Sequence, residues 1–303
     1  NMPTKDPDVS PIALFVYNRP EHTRRTVEAL RKNVLAGEST LLIFSDGAKN
    51  DADAALVHEL RAYLRTLQGF KNIEIVERDA NWGLARSIVA GVTDVINRFG
   101  KIIVLEDDLV TSSYFLDYMN EGLDRYADED RVISVHGYLY PIAAKLPETF
   151  FLRGADCWGW ATWKRGWDLF EPDGKKLLAL LEERELTAEF DFGNNFHYTE
   201  MLKRQIAGKN DSWAIRWYAS AFLADKLTLY PGTSLIDNIG QDASGTHGNA
   251  TDMYRTAVAE RPVSVKEILI QEDTIARALF AAYFKSLKLS IMSRILHRIR
   301  RTL

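Results

Sequence analysis

Three consecutive carboxylates, Glu106, Asp107 and Asp108, directly follow the apolar run KIIVL at residues 101–105. Adjacent carboxylates repel one another unless a cation lies between them. A hard divalent cation takes oxygen ligands, often one or two carboxylates together with the phosphates of a substrate. It would also neutralise the charge that develops on a departing diphosphate. The triplet therefore predicts a divalent metal site, and the alternative interpretation is a solvated acidic turn.

The elements that would position this triplet are short apolar runs separated by segments with helical spacing. The apolar runs lie at residues 11–17, 41–45, 73–76, 101–105 and 132–135. A first helical segment opens at Asn18-Arg19-Pro20-Glu21, and others lie at about 53–67, 84–99 and 113–126. This alternation predicts an α/β fold with a mostly parallel sheet flanked by helices. Asn18 is the predicted N-cap of the first helix, and Pro20 suits its first turn.

Ligands of such sheets bind beyond the carboxyl ends of the strands. Asn18-Arg19, Asp46-Gly47 and the acidic triplet all fall at predicted strand ends, so we expect them to share one site. Beyond about residue 137 the pattern is less regular. Residues 175–205 have helical spacing, 227–230 could form a strand, and 231–252 are typical of a loop.

Bulk composition narrows the class of protein. The chain has 303 residues, 46% of them hydrophobic, with a formal net charge of −4. Nothing in this balance points to nucleic acid as a partner. Cys157 stands alone, which excludes an intramolecular disulfide and fits a reducing compartment. No apolar run approaches the length needed to span a bilayer.

The order and spacing of these motifs give residues 11–137 a resemblance to glycosyltransferases of the GT-A (Rossmann-like) fold. The triplet reads EDDL with Leu109, Arg19 stands in YNRP, and the second strand ends in Ser45-Asp46-Gly47. The segment NWGLARS supplies Asn, Gly and a small residue before a helix. The pattern resembles both the bacterial family 2 enzymes and the N-acetylglucosaminyltransferase I group.

The resemblance implies roles for individual residues. Asp108 would be the direct ligand of Mn2+ or Mg2+, and Asp107 would bind the ribose of the nucleotide, or the metal through water. Glu106 completes the donor-binding triplet. The expected donor is a nucleotide diphosphate sugar, with UDP as its nucleotide.

Three further residues are expected to bind the donor. Arg19 would lie near the nucleotide, Asp46 beside the nucleobase, and Arg86 near the diphosphate or the donor sugar. A surface ion pair is the alternative for both arginines.

Transfer with inversion needs a general base on the acceptor hydroxyl, and a carboxylate usually serves. In the N-acetylglucosaminyltransferase I group an aspartate stands about a hundred residues beyond the triplet, so the resemblance nominates Asp211 in NDSW. Asp237 and Asp242 are rivals, and Asp211 could instead cap a helix. His247, in the loop SGTHG, could donate to the diphosphate or complete the metal shell.

Tryptophans are concentrated between residues 151 and 170. Aromatic faces stack on the apolar faces of sugars, so Trp158, Trp160 and Trp213 are candidate substrate contacts. We expect about half of the clustered tryptophans to be core instead. Cys157 is expected to be a buried small residue rather than a nucleophile.

The C-terminal tail, from Thr274 to Leu303, carries no acidic residue, and its Lys and Arg residues alternate with apolar ones at helical spacing. A basic amphipathic helix can lie on an anionic membrane surface. The alternative is a helix that packs on the core with its arginines outward.

The sequence thus predicts a nucleotide-sugar-binding half at 11–137, a C-terminal acceptor-side or catalytic half at 138–270, and a basic amphipathic helix at 271–303. The expected function is metal-dependent, inverting sugar transfer to a glycan or lipid-linked glycan, in bacterial surface polysaccharide synthesis. We expect a cytoplasmic enzyme that touches the inner face of the membrane.

Two alternatives remain. A sugar nucleotidyltransferase usually has a glycine-rich basic loop after the first strand, and residues 16–24 (VYNRPEHTR) contain no glycine. A non-catalytic carbohydrate-binding protein would account for the tryptophans but not for the triplet.

Overall fold

The computed structural model describes residues 9–241 and 252–302, with side chains described as far as residue 288. The strands are β1 (Ile12–Val16), β2 (Thr40–Ser45), β3 (Asn72–Glu77), β4 (Lys101–Glu106), β5 (Leu109–Thr111), β6 (Val132–His136), β7 (Thr149–Arg153), β8 (Trp160–Trp163), β9 (Leu227–Pro231) and β10 (Ile236–Asn238). The helices are α1 (Pro20–Arg31), α2 (Asp51–Leu64), α3 (Leu84–Phe99), α4 (Phe115–Arg125), α5 (Lys164–Trp167), α6 (Gly174–Glu183), α7 (Thr187–Phe190), α8 (Tyr198–Ile206), α9 (Trp213–Leu223) and α10 (Thr274–Thr302).

One large sheet runs through both halves of the chain, in the order β3-β2-β1-β4-β8-β6-β9-β7. Strands β1 to β4 pair in parallel, whereas β8 is antiparallel to both β4 and β6. Strands β1, β2 and β4 bury alternate residues in two separate apolar clusters, one on each face of the sheet. Helices contribute residues to both clusters, so both faces of the sheet are covered. The predicted α/β class with a mostly parallel sheet is confirmed.

The register of the parallel strands aligns their carboxyl ends. Val16 of β1 lies opposite Ser45 of β2, and Phe15 lies opposite Glu106 of β4. The residues that follow these strands therefore emerge at one edge of the sheet.

Several predicted elements differ in detail. The N-cap of α1 is Arg19 rather than Asn18, without a side-chain capping hydrogen bond, and the Asn18 amide Nδ2 donates to Asp53 Oδ1 at 2.7 Å. Residues 175–205, which have helical spacing in the sequence, form three separate helices, α6 to α8. Strand β10 lies inside the predicted loop 231–252 and pairs with β5, immediately after the triplet. The strands β7 and β8 also lie in the stretch where the sequence shows no regular pattern.

The last helix begins as part of the core. Ala276, Phe280 and Phe284 are buried against the sheet side of the protein. The first turns of α10 are therefore a packed helix, as in the alternative interpretation of the tail. In the described part of the chain, no helix is both long and apolar enough to cross a membrane.

Candidate active site

A single guanidinium bridges two carboxylates of the triplet. Arg19 Nη2 donates to Asp108 Oδ2 at 2.9 Å and makes a shorter contact with Asp107 Oδ1. Its Nε also faces Asp107 Oδ2 at 3.4 Å. The side chains of Arg19 and Asp107 are only 16% and 6% exposed. The predicted proximity of the first-strand arginine and the triplet is therefore present in the structure.

Burial and mutual repulsion shape the protonation of this cluster. Burial, with added repulsion from Asp108 and Asp107, raises the pKa of Glu106 to about 8. Burial also raises the pKa of Asp107 to about 6, and the charge of Arg19 opposes this rise. Although burial disfavours its charge, the two aspartates raise the pKa of Arg19 above its ordinary value. The buried guanidinium of Arg19 thus pairs directly with Asp107 and Asp108. Its charge also acts on the third carboxylate, Glu106.

The donor atoms of this cluster suit a divalent cation, because carboxylate oxygens are hard ligands. Among the residues that the structure describes, no group of three or more His, Cys, Asp or Glu residues is arranged to hold a metal. An ion held by Asp107 and Asp108 would therefore take its other ligands from substrate phosphates or water, which is the usual arrangement for Mg2+.

Backbone from the second half of the chain closes against Asp108. The N–H of Ile239 donates to the Asp108 carbonyl oxygen at 2.9 Å. A Cβ placed on Gly240 would lie 1.9 Å from Asp108 Oδ2, so any larger residue would require Asp108 or the backbone to shift. The chain therefore passes directly over the triplet just before residue 242. His247 and Asp242 lie outside the described residues.

Asp46 accepts hydrogen bonds from the turn that precedes α3. Its carboxylate accepts the N–H of Trp82 at 2.8 Å and the N–H of Gly83 at 3.0 Å, and Asn81 Nδ2 lies 3.2 Å away. Gly83 has a φ of +78°, which favours glycine. Asp46 thus fixes the NWG turn beside the triplet edge, and its contact with a nucleobase stays a prediction.

Trp82 is contacted by two guanidinium groups. Arg86 lies 4.2 Å and Arg78 3.6 Å from its ring centre. Arg86 is exposed, and its predicted contact with the donor stays a prediction. The sequence interpretation missed Arg78, although its place directly after β3, another parallel strand, was a usable signal. The two arginines give the NWG turn positive charge on both sides of the Trp82 ring.

The proposed bases differ in their surroundings. Asp211 is 75% exposed and lies 3.3 Å from Arg216 Nη2. The N-cap of α9 is Ser212, whose Oγ accepts the N–H of Ile215, so the alternative of Asp211 as a cap is wrong. Asp237 is held by Arg255 through an ion pair of 2.8 Å. Neither aspartate contacts the triplet through a described hydrogen bond.

Two of the three predicted substrate tryptophans are core residues. Trp160 is 0% and Trp213 3% exposed, and their rings stack 5.6 Å apart between the sheet and the helices α3 and α9. A ligand cannot reach side chains buried in this way, so their assignment as substrate contacts is wrong. Trp158, two residues before Trp160, is half-buried and lines a cavity, so it remains a candidate.

That cavity is the part of the site that the sequence interpretation missed. It measures about 290 Å³ and is walled mainly by aromatic side chains, with Asp156 among them. Burial, reinforced by Asp156, raises the pKa of its neighbour Cys157 far above the usual range. A protonated thiol is a poor nucleophile, in agreement with the structural role expected for Cys157.

Comparison with known protein families supports a glycosyltransferase. Residues 12–143, somewhat less than half of the chain, match the model of glycosyl transferase family 2. This match confirms the resemblance to GT-A glycosyltransferases and, for this region, the enzyme class. The finer likeness to the N-acetylglucosaminyltransferase I group stays a prediction. No curated protein has a sequence that matches the chain.

Solved structures of other proteins match only part of this chain. A mannosyltransferase from Pyrobaculum calidifontis in complex with GDP-Man and Mn2+ is 14% identical, with a TM-score of 0.31, and the match covers 45% of this chain and 39% of that one. A fragment of TarS from S. aureus in complex with UDP-GlcNAc is 9% identical, with a TM-score of 0.34, and the match covers 58% of this chain and 47% of that one. The chain thus spans less than half the length of either protein.

Proposed function

We propose that this protein is a metal-dependent, inverting glycosyltransferase that moves a sugar from a nucleotide diphosphate sugar, with UDP as the preferred nucleotide, to a glycan or lipid-linked glycan. The observation that carries the proposal is the buried cluster of Arg19, Asp107 and Asp108 at the carboxyl edge of the parallel sheet. The match of residues 12–143 to a glycosyltransferase family supports the same reaction class.

The residues of this cluster divide the work of donor binding. Asp107 and Asp108 would hold Mn2+ or Mg2+, which when bound offsets the negative charge of the leaving diphosphate. Arg19, already oriented by both aspartates, presents a fixed positive charge beside the same position. Gly240 allows the chain to approach Asp108 closely, so the last described residue before His247, Gln241, lies at the edge of the proposed donor site.

For the acceptor, Asp211 is proposed as the general base. It lies two residues before α9, and Ala214 and Ile215 in the first turn of that helix line the aromatic cavity. Replacement by Asp211→Asn is expected to keep nucleotide binding and to lose transfer. Undiminished turnover of this variant would remove Asp211 from the mechanism.

The cellular setting proposed is the cytoplasmic face of a bacterial membrane, in surface polysaccharide assembly. The part of α10 beyond residue 288 has a basic amphipathic sequence, in which Arg294, Arg298, Arg300 and Arg301 provide the charge. Such a segment would bring the enzyme to anionic lipids and hence to a lipid-linked acceptor.

The decisive experiment measures the heat of UDP binding with and without Mn2+. We expect binding that requires the metal, and its loss in Asp108→Asn. Hydrolysis or transfer from a panel of UDP-sugars and GDP-sugars would then identify the donor. Absence of any metal-dependent nucleotide binding would favour the carbohydrate-binding alternative over the enzyme.

A further inference from the structure

The aromatic cavity is assembled from segments that are distant in sequence. Its walls include Tyr140 after β6, Trp158 before β8, Tyr218 in α9, Tyr230 in β9 and Phe284 in α10. Its volume of about 290 Å³ lies just below the usual range for ligand pockets, which is about 300–1,000 Å³. The cavity therefore suits one compact unit rather than an extended chain.

The cavity adjoins the acidic triplet. Gln241 lines the cavity, and the preceding residue, Gly240, lies against the carboxylate of Asp108. A molecule in the cavity would thus lie beside the position proposed for the donor diphosphate.

One carboxylate projects into these aromatic surroundings. Asp156 Oδ1 accepts the N–H of Cys157 at 2.8 Å, and Oδ2 accepts the hydroxyl of Tyr230 at 3.2 Å. The side chain is 21% exposed, and Asp156 is the only carboxylate among the described residues that line the cavity. Each carboxylate oxygen can accept more than one hydrogen bond, so Asp156 retains acceptor capacity for a ligand.

The charge of Asp156 lacks a compensating cation in the described part of the chain. His136 Nε2 lies 3.8 Å from Oδ1, but it accepts the N–H of Trp158, and burial lowers the pKa of this histidine, so it is neutral. Arg153 also lines the cavity, yet its guanidinium is paired with Glu189 and Asp225, each at 3.1 Å. The cavity is therefore electronegative and would repel an anionic ligand.

Resting on the proposed function, we propose that this cavity binds one uncharged monosaccharide unit of the acceptor and that Asp156 selects it against acidic sugars. Hydroxyl groups of the sugar would donate to Asp156, while Trp158 and the neighbouring aromatic rings pack against its apolar C–H faces. Trp158 is held for this purpose by edge contacts with Tyr138 and Tyr254, at 4.8 and 5.4 Å between ring centres. An alkyl chain would use the aromatic walls but would leave the carboxylate desolvated and without donors.

The test uses the whole protein and saturation-transfer NMR with matched probes. Methyl glycosides of glucose, galactose and mannose are compared with the methyl glycosides of the corresponding uronic acids, and octyl glucoside below its micelle concentration reports on alkyl binding. We expect ring protons of at least one neutral glycoside to be saturated, and the matching uronide to bind at least tenfold more weakly. Equal binding of neutral and acidic sugars, or saturation confined to the octyl chain, would overturn the proposal.

Variants assign the binding to this cavity. Trp158→Ala should weaken binding of the neutral glycoside about tenfold, through lost ring contacts. Asp156→Asn keeps an acceptor oxygen but removes the charge, so it should reduce the preference for neutral over acidic sugar. Phe99→Ala, at an exposed aromatic residue outside the cavity, is the control and should bind as wild type. Unchanged glycoside binding in Trp158→Ala contradicts the assignment.

The UDP titration separates this proposal from the proposed function. If UDP binds with Mn2+ but no neutral glycoside binds, the cavity assignment is wrong and the enzyme class stands. If neutral glycosides bind in the cavity but UDP does not, the glycosyltransferase reaction is wrong, while the carbohydrate site is retained.

Discussion

Two recognition regions lie side by side in this molecule and are built in opposite ways. The first, at the carboxyl edge of β1, β2 and β4, consists of charged residues supplied by short motifs that directly follow strands. The second is an aromatic cavity whose walls come from segments between Tyr140 and Phe284. The charged edge is formed by the repeated strand-and-helix pattern, whereas the cavity exists only where several irregular segments pack together.

The two regions should differ in how strongly a single substitution affects their function. In the charged region one carboxylate, Asp108, carries much of the expected function, because it would hold the metal that offsets the negative charge of the diphosphate. In the cavity, binding is spread over many rings and one carboxylate. We therefore expect single substitutions at the edge to abolish activity, and those in the cavity to reduce affinity in steps.

The largest effect is expected for Asp108→Asn. The side chain keeps its size beside Gly240 but loses the charge that would hold the metal, so sugar transfer should fall by about 100-fold or more. Turnover is measured as released nucleoside diphosphate, and thermal unfolding checks the fold. Asp168→Asn, at an exposed aspartate paired with Lys164, is the control. Full activity of Asp108→Asn in the absence of added metal would contradict the proposed role.

Neighbouring tryptophans offer a direct contrast between core and cavity. Trp160→Ala should lower the free energy of unfolding by about 3–5 kcal/mol, because it empties a fully buried site. Trp158→Ala should cost much less stability and affect glycoside binding instead. Chemical denaturation of both variants measures the difference. Equal destabilisation by the two substitutions would mean that Trp158 is also a core residue.

Gly240→Ala probes the contact between the two regions. Its Cβ would meet the carboxylate of Asp108, so either the backbone or that side chain must shift. We expect about a tenfold loss of transfer and a destabilisation of about 1–3 kcal/mol, as in other overpacked sites. Gly37→Ala is a matched control, because a Cβ added at Gly37 would have no neighbouring atom within 4 Å. If the two variants behave alike, the approach at Gly240 is unimportant.

The smallest effect on chemistry is expected from truncation after Lys288. This end point keeps Phe280 and Phe284, which wall the cavity and are buried. Transfer to a water-soluble acceptor should be nearly unchanged, whereas binding to vesicles that contain anionic lipid should fall, most clearly at low salt. Equal vesicle binding by the full chain and the truncated chain would remove the membrane from the proposal.

The sequence by itself determined the parallel half of the sheet and the charged edge. Apolar runs of strand length fix which residues are buried, and the chain direction then fixes that Arg19, Asp46 and Asp108 emerge at the same edge. The short strand β5 escaped detection, because three residues carry too little periodicity. Its partner β10 likewise could not be distinguished from the polar loop around it.

Only the tertiary structure decided which aromatic residues face a ligand. Trp158 and Trp160 are two residues apart in the same aromatic segment, yet Trp158 lines the cavity and Trp160 lies in the core. The glycine between them has a φ of +72°, and β8 begins at Trp160, so the two side chains point in different directions. Asp156 gained its place in the same way, since its partner Tyr230 stands 74 residues further along the chain. Local sequence fixes the ends of regular strands, but a cavity depends on long-range packing, which no short pattern encodes.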